Sequence, residues 1–135
     1  MMPVMQIARA DITNRYQVST DLQTEGTIQS LKLKVNGHQA RYLKAGRGPS
    51  VVLLHGIASD SREWLETIAA LSSCRCLYAP DLIGYGPDDR DNSGYYLSDF
   101  VEFTLGFIQT LGRGPHVLVG HSVGGRVCLE IALRH

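Results

Sequence analysis

Val117-Leu118-Val119-Gly120-His121-Ser122-Val123-Gly124-Gly125, followed by Val127, Cys128, Ile131 and Ala132, is the stretch that decides the fold. The first three residues form an apolar run of the kind a strand buried on both faces shows. The glycines break that run, and small apolar residues then recur at helical spacing. Strand, tight turn and helix therefore follow one another within about twenty residues. At the turn stands Gly120-x-Ser122-x-Gly124. A reactive serine needs its hydroxyl clear of the backbone at the carboxyl edge of a sheet. A sharp strand-to-helix turn presents it there, and flanking glycines let strand and helix approach without side-chain clashes. Gly-x-Ser-x-Gly alone arises by chance in roughly one such sequence in ten, so the context carries the signal. The competing reading is a phosphate-binding turn with an inert serine. It fits poorly, because no Lys-Ser or Lys-Thr follows the glycines, and His55 to Ser61 lacks the dinucleotide fingerprint.

Upstream, the same alternation of strand and helix repeats. Val51-Val52-Leu53-Leu54 is a second continuous apolar run. Ser59, Asp60 or Ser61 can cap a helix reaching about Leu71, with Trp64, Leu65, Ile68 and Leu71 on one stripe. Cys74 to Ala79 predicts another short strand, and Leu82 to Gly94 a loop rich in Gly, Asp and Pro. Leu97 to Leu111 has a helical period, starting near Tyr96 or Ser98, with Phe100, Val101, Leu105, Ile108 and Leu111 as its apolar stripe. Earlier still, Leu31, Leu33 and Val35 alternate with lysines. Asn36-Gly37 then signals a hairpin, with Gln39 to Ala45 as the return strand and Tyr42 and Leu43 as its packing residues. The expected fold is α/β: an N-terminal hairpin, then parallel strands with covering helices. Residues 1–29 are mixed and polar and read as an irregular lead-in, leaving 30–135 as the domain.

Composition narrows the function. The chain has 135 residues, 44% hydrophobic and 19% charged, which is globular rather than disordered. Lys plus Arg equals Asp plus Glu at 13 each, so no basic surplus points to nucleic acid or an anionic membrane. No apolar run approaches the ~20 residues of a membrane span, and Met1 to Ala10 lacks the form of a leader, so the expected location is cytoplasmic. The odd cysteine count, three, argues against a disulfide scaffold. Cys74 and Cys76, placed in a strand, would point the same way as small core residues. Cys-x-Cys supplies too few ligands for a metal, and none is expected.

A second candidate site element is His55-Gly56-Ile57. Acyl transfer at serine needs backbone N–H groups aimed at the developing oxyanion. Val123, after the serine and at a helix N-terminus, is one candidate donor, and Ile57 is the other. His55 reads as a hydrogen-bonded imidazole that shapes this loop. Gly56, Gly120, His121, Gly124 and Gly125 support loop and turn. Ile57, Trp64 and Tyr85 are candidate pocket residues, with packing the more ordinary role for Trp64.

Taken together, Leu53 to Gly56, Trp64, Asp81 to Gly86 and Gly120 to Gly125 make the chain resemble the α/β-hydrolase family from about residue 30 onward. Four motifs in order are far more specific than one. Pro87-Asp88 departs from the pattern, where many members carry Arg-Ser or Lys-Ser. The resemblance implies Ser122 as nucleophile, no cofactor and a small-molecule substrate. It also implies an acid and a histidine base placed after the serine. Only thirteen residues follow Ser122 here. His135 lies roughly 20 Å along a helix at ~1.5 Å per residue, and Glu130 about two turns away. Hydrogen-bond reach is about 3 Å. His38 lies in the hairpin turn, His116 starts the strand at the far edge, and His121 should diverge from its neighbour. The expectation is the N-terminal half of the fold, lacking later strands as well as base and acid. The Val117 strand would then be an open apolar edge, inviting a completing chain or self-association. Two functions follow. One is a serine hydrolase cleaving an ester or a related acyl or C–C bond, or acting as a cofactor-free perhydrolase. The other is a non-catalytic module that binds a ligand or a completing subunit. Serine rather than the Asp of the family's epoxide hydrolases and haloalkane dehalogenases favours acyl-type chemistry.

Overall fold

The computed structural model describes residues 27–87 and 94–135, together with the backbone of residues 18–19. Six strands form one mixed sheet. They are β1 (Val18–Ser19), β2 (Ile28–Val35), β3 (His38–Ala45), β4 (Ser50–Leu54), β5 (Cys76–Pro80) and β6 (His116–Gly120). The order across the sheet is β1-β2-β3-β5-β4-β6. β2 and β3 are an antiparallel hairpin, while β5, β4 and β6 run parallel. The hairpin turns at Asn36 (φ 49°) and Gly37 (φ 87°), the left-handed pair a two-residue turn requires. Within the segment read as irregular lead-in, β1 pairs in parallel with the start of β2, and β2 begins at Ile28. The predicted loop after Leu82 is described to Pro87, and Asp88 lies outside the described residues.

β4 explains its own sequence. Alternate residues of a strand face opposite sides, and here both sides are covered. Val52 and Leu54 pack with Phe100, Phe103, Phe107, Val127 and Ile131, the inner faces of helices α2 (Leu97–Thr110) and α3 (Val123–Arg134). Val51 and Leu53 pack with Leu43, Leu65, Ile68 and Leu77 on the side of helix α1 (Leu65–Leu71). The hydrophobic run therefore sits at the middle of a three-layer arrangement.

Four expectations need correction. The cap-to-Leu71 helix begins as a separate 3-10 turn, Ser61–Trp64, capped by Asp60, and Leu71 is exposed. Cys74 precedes β5 and is exposed, and Cys76 is half-buried, so neither is a core residue. In α2 the fully buried face is Phe100, Phe103, Thr104 and Phe107, while Val101, Leu105, Ile108 and Leu111 are only partly covered. The apolar residues of that helix cover a broad arc rather than one narrow stripe, so its period did not say which part of the arc meets the sheet. β6 is half-buried on one face and exposed on the other. Val117 is 57% and Val119 38% exposed, because β6 is the outer strand and nothing among the described residues covers that side. No helix among the described residues is long and apolar enough to cross a membrane.

His55, at the end of β4, is fully buried and fixes the loops around the strand ends. Its Nε2 accepts the Leu82 N–H at 2.9 Å, and its Nδ1–H donates to the Gly56 carbonyl at 2.8 Å. This pair of bonds requires the neutral ring. Burial lowers its pKa from 6.5, against smaller opposing effects of the Gly56 carbonyl and nearby carboxylates. The unfolded chain takes up this proton near pH 6.5, whereas the folded chain resists it until lower pH. Stability from the neutral ring is therefore whole above that value and is lost as pH falls toward the folded pKa.

Chemical denaturation of wild type and His55→Gln should show a stability difference that shrinks below about pH 6.5, by at most about 1.4 kcal/mol per pH unit. A constant difference between pH 8 and 5 would contradict a buried neutral ring. Phe107→Ala, emptying the centre of the α2 face, should lower unfolding free energy in urea by about 3–5 kcal/mol. A loss below about 1 kcal/mol would mean that this face is not tightly packed.

Candidate active site

The turn after β6 is forced by close contact. A Cβ at Gly124 would stand 2.2 Å from the Leu54 carbonyl oxygen, and one at Gly120 would stand 2.2 Å from the Gly124 carbonyl carbon. Both obstacles are backbone, so neither position admits a side chain without moving strand or helix. Gly125 has more room, with the Gly120 oxygen 3.3 Å from its ideal Cβ. The His121 N–H donates to the Leu54 carbonyl at 3.0 Å, carrying the β4–β6 ladder to the start of the turn. The Gly124 N–H then donates to the His121 carbonyl at 2.9 Å, which closes it.

Between them Ser122 adopts φ 53°, ψ −117°, a conformation that an L-residue occupies only when its surroundings impose it. It is the N-cap residue of α3. Serine is favoured at N-caps because its hydroxyl can accept a helix N–H, yet this one makes no such cap bond. The residue is exposed. Its hydroxyl is thus held out at the helix N-terminus without serving the helix.

The loop after β4 comes to the same place. An ideal Cβ on Gly56 would lie 3.3 Å from Ser122 Cβ and 3.0 Å from His121 Nδ1. Ala58 takes a left-handed φ of 55°, and the Ser59 N–H donates to the Gly56 carbonyl at 3.3 Å, so the loop turns sharply back. Ile57 is 64% exposed at its tip. Among the described residues, neither the Ile57 nor the Val123 N–H meets a backbone acceptor. The structure therefore brings together Ser122, His121, Val123, Gly56 and the Ile57 loop, with His55 behind them.

Two carboxylates that sequence reasoning did not single out hold this arrangement. Asp81, buried at the end of β5, accepts the Ser61 N–H at 2.7 Å and Arg41 Nε at 2.9 Å. Glu63 accepts the Gly56 N–H at 3.0 Å with Oε2, and its Oε1 lies 2.5 Å from His121 Nδ1. Asp81 opens a quoted motif, but nothing local in the sequence marks Glu63. Of the candidate pocket residues, Trp64 packs on the α1-side core, and Tyr85 lies edge-on to His55 at 5.6 Å between centroids. The remaining imidazoles are engaged or distant in the fold. His116 Nδ1 meets Ser50 Oγ at 2.9 Å at the opposite end of β6. Glu130 pairs with Arg134 on α3.

Comparison with known proteins agrees with this architecture. Residues 51–135 match the family described as "Alpha/beta hydrolase family". The chain is 36% identical over 90 residues to 2-(acetamidomethylene)succinate hydrolase of Mesorhizobium japonicum, covering 67% of this chain and 32% of that protein. The solved structure of an E-2-(acetamidomethylene)succinate hydrolase superposes with a TM-score of 0.74 at 30% identity, over 80% of this chain and 40% of that one. Epoxide hydrolase VrEH1 from Vigna radiata superposes with a TM-score of 0.73 at 34% identity, over 79% and 36%. The chain thus spans about a third of the length of the curated relatives it matches, and it represents part of their fold. With its strand order, its serine-bearing turn and a family match running from β4 to the last residue, the chain belongs to the α/β-hydrolase family.

Proposed function

We propose that this chain carries the nucleophile and oxyanion hole of a serine hydrolase acting on an ester or a related acyl substrate. The observation that carries this reading is Ser122 itself: exposed, left-handed in φ, and placed at a helix N-terminus it does not cap. Strained backbone at a solvent-facing nucleophilic side chain supports a functional role over a packing one. In the proposed reaction Ser122 Oγ bonds to the substrate carbonyl carbon while its proton passes to a base. The carbonyl oxygen becomes an anion, accepted by the N–H groups of Ile57 and Val123 with help from the α3 dipole. Collapse of this intermediate expels the leaving group, and water then hydrolyses the acyl-serine. Several relatives are hydrolases by name, of a succinate derivative or an epoxide. A hydroxyl rather than a carboxylate at position 122 favours acyl chemistry here.

The base and acid of this reaction are proposed to come from outside these 135 residues. His55 spends both ring nitrogens on backbone groups. His121 is turned toward Glu63, which makes it part of the frame. The apolar outer edge of β6, with exposed Leu129 and Leu133 on α3, supports a further strand and helix completing the sheet. Those elements would come from additional chain or from a partner.

Incubation of the folded chain with a fluorophosphonate should add one label by intact mass, mapping to Ser122 and lost in Ser122→Ala. Because the base is proposed to lie outside these residues, the reaction should be slow; labelling elsewhere, or no faster than in Ser122→Ala over a prolonged incubation, overturns the nucleophile assignment. Hydrolysis of a p-nitrophenyl ester by the same chain should run about 10³-fold or more below an intact triad site. Turnover at the level of a complete hydrolase, abolished by Ser122→Ala, would show that a base resides within the 135 residues.

A further inference from the structure

Glu63 belongs neither to the sheet nor to the proposed reaction, yet its carboxylate spans the two segments that must meet at the oxyanion. Oε2 accepts the Gly56 N–H at 3.0 Å, next to Ile57 in the loop after β4. Oε1 accepts His121 Nδ1–H at 2.5 Å, next to Ser122 in the turn after β6. The two anchored backbones are 65 residues apart in sequence, and the carboxylate is one side chain in contact with both.

We propose that Glu63 is a positioning residue that clamps the oxyanion loop to the nucleophile turn and selects which loop amide faces the substrate. The inference rests on Ser122 being the nucleophile. Of the successive loop N–H groups, that of Gly56 is taken up by Glu63, leaving the Ile57 N–H as the donor available to an oxyanion. Geometry at such a hole must hold to about 0.5 Å, and the Glu63 bond ties this loop to the nucleophile turn in addition to the loop's own Ser59 N–H to Gly56 carbonyl bond.

The turn that carries Glu63 is itself pinned. Asp60 accepts the Arg62 N–H at 3.0 Å and pairs with Arg62 Nη2 at 2.7 Å. The buried Asp81 carboxylate holds the Ser61 N–H at 2.7 Å. Ser61, which opens the turn, and Leu65, which follows it, are fully buried. Glu63 therefore reaches out from a fixed base, and its side chain is only 24% exposed. His121 is 63% exposed and contributes little packing of its own, so its orientation depends on the Glu63 bond.

The test is the labelling rate of Ser122 by a fluorophosphonate in the wild-type chain, Glu63→Ala and Glu63→Gln, measured over a range of probe concentrations. Glutamine can still accept the Gly56 N–H and can donate to His121 Nδ1 in its other tautomer. Glu63→Ala should lower the rate at saturating probe about tenfold or more, with the half-saturating concentration within about twofold of wild type. Glu63→Gln should recover to within about threefold of wild type. An unchanged rate in folded Glu63→Ala, or equal slowing in both variants, overturns the clamp while leaving the nucleophile standing. A wild-type rate no greater than that of Ser122→Ala over a prolonged incubation, or label on another residue, overturns both. Amide hydrogen exchange gives a check that does not depend on the alanine variant folding. Protection of the Gly56 N–H in wild type supports the clamp, and exchange at the rate of an unstructured peptide overturns it.

Discussion

The whole arrangement depends on how closely the first turn of α3 approaches the ends of β4 and β6. At Gly124 and Gly120 the separation is that of backbone against backbone, too short for even a methyl group. This contact makes the turn tight, drives Ser122 into a left-handed φ and leaves its hydroxyl off the helix at whose N-terminus it stands. Strain at one residue, of the order of 1–3 kcal/mol, persists because the surrounding sheet over-determines it. The glycines are thus required by the packing, and the exposed serine follows from them.

Around this contact the loops are fixed by polar groups. His55 joins the ends of β4 and β5, Asp81 joins β3 and β5 to the 3-10 turn, and Glu63 joins that turn to the loop after β4 and the turn after β6. Each is a long-range tie between segments whose backbones leave the sheet. The oxyanion site proposed here would need such ties, because main-chain pairing stops at the strand ends. Burial keeps the imidazole neutral, and neutrality gives His55 one donor and one acceptor for its two partners.

Much of this was legible from the residues alone. Period-two alternation and Asn36-Gly37 placed the hairpin, and the run Val51 to Leu54 correctly announced a strand covered on both faces. The glycine spacing placed the turn between β6 and α3 to the residue. Other features have no local signature. α2 carries apolar residues over a broad arc, so only tertiary packing chose Phe103 and Phe107 for the core. Val117 and Val119 look like core residues, and their exposure follows from the place of β6 in the sheet rather than from its composition. Glu63 escaped notice because its partners lie seven and fifty-eight residues away, and no periodic pattern encodes such contacts.

The most direct measurement is a crystal structure of the chain after covalent reaction with a phosphonate or boronate that mimics the tetrahedral intermediate. The expected result is an adduct on Ser122 Oγ, with one of its oxygens about 3 Å from both the Ile57 and Val123 nitrogens. An adduct on another residue, or one whose oxygens face solvent with those two amides turned away, would contradict the proposal that this family member places its nucleophile and oxyanion hole at the turn after β6.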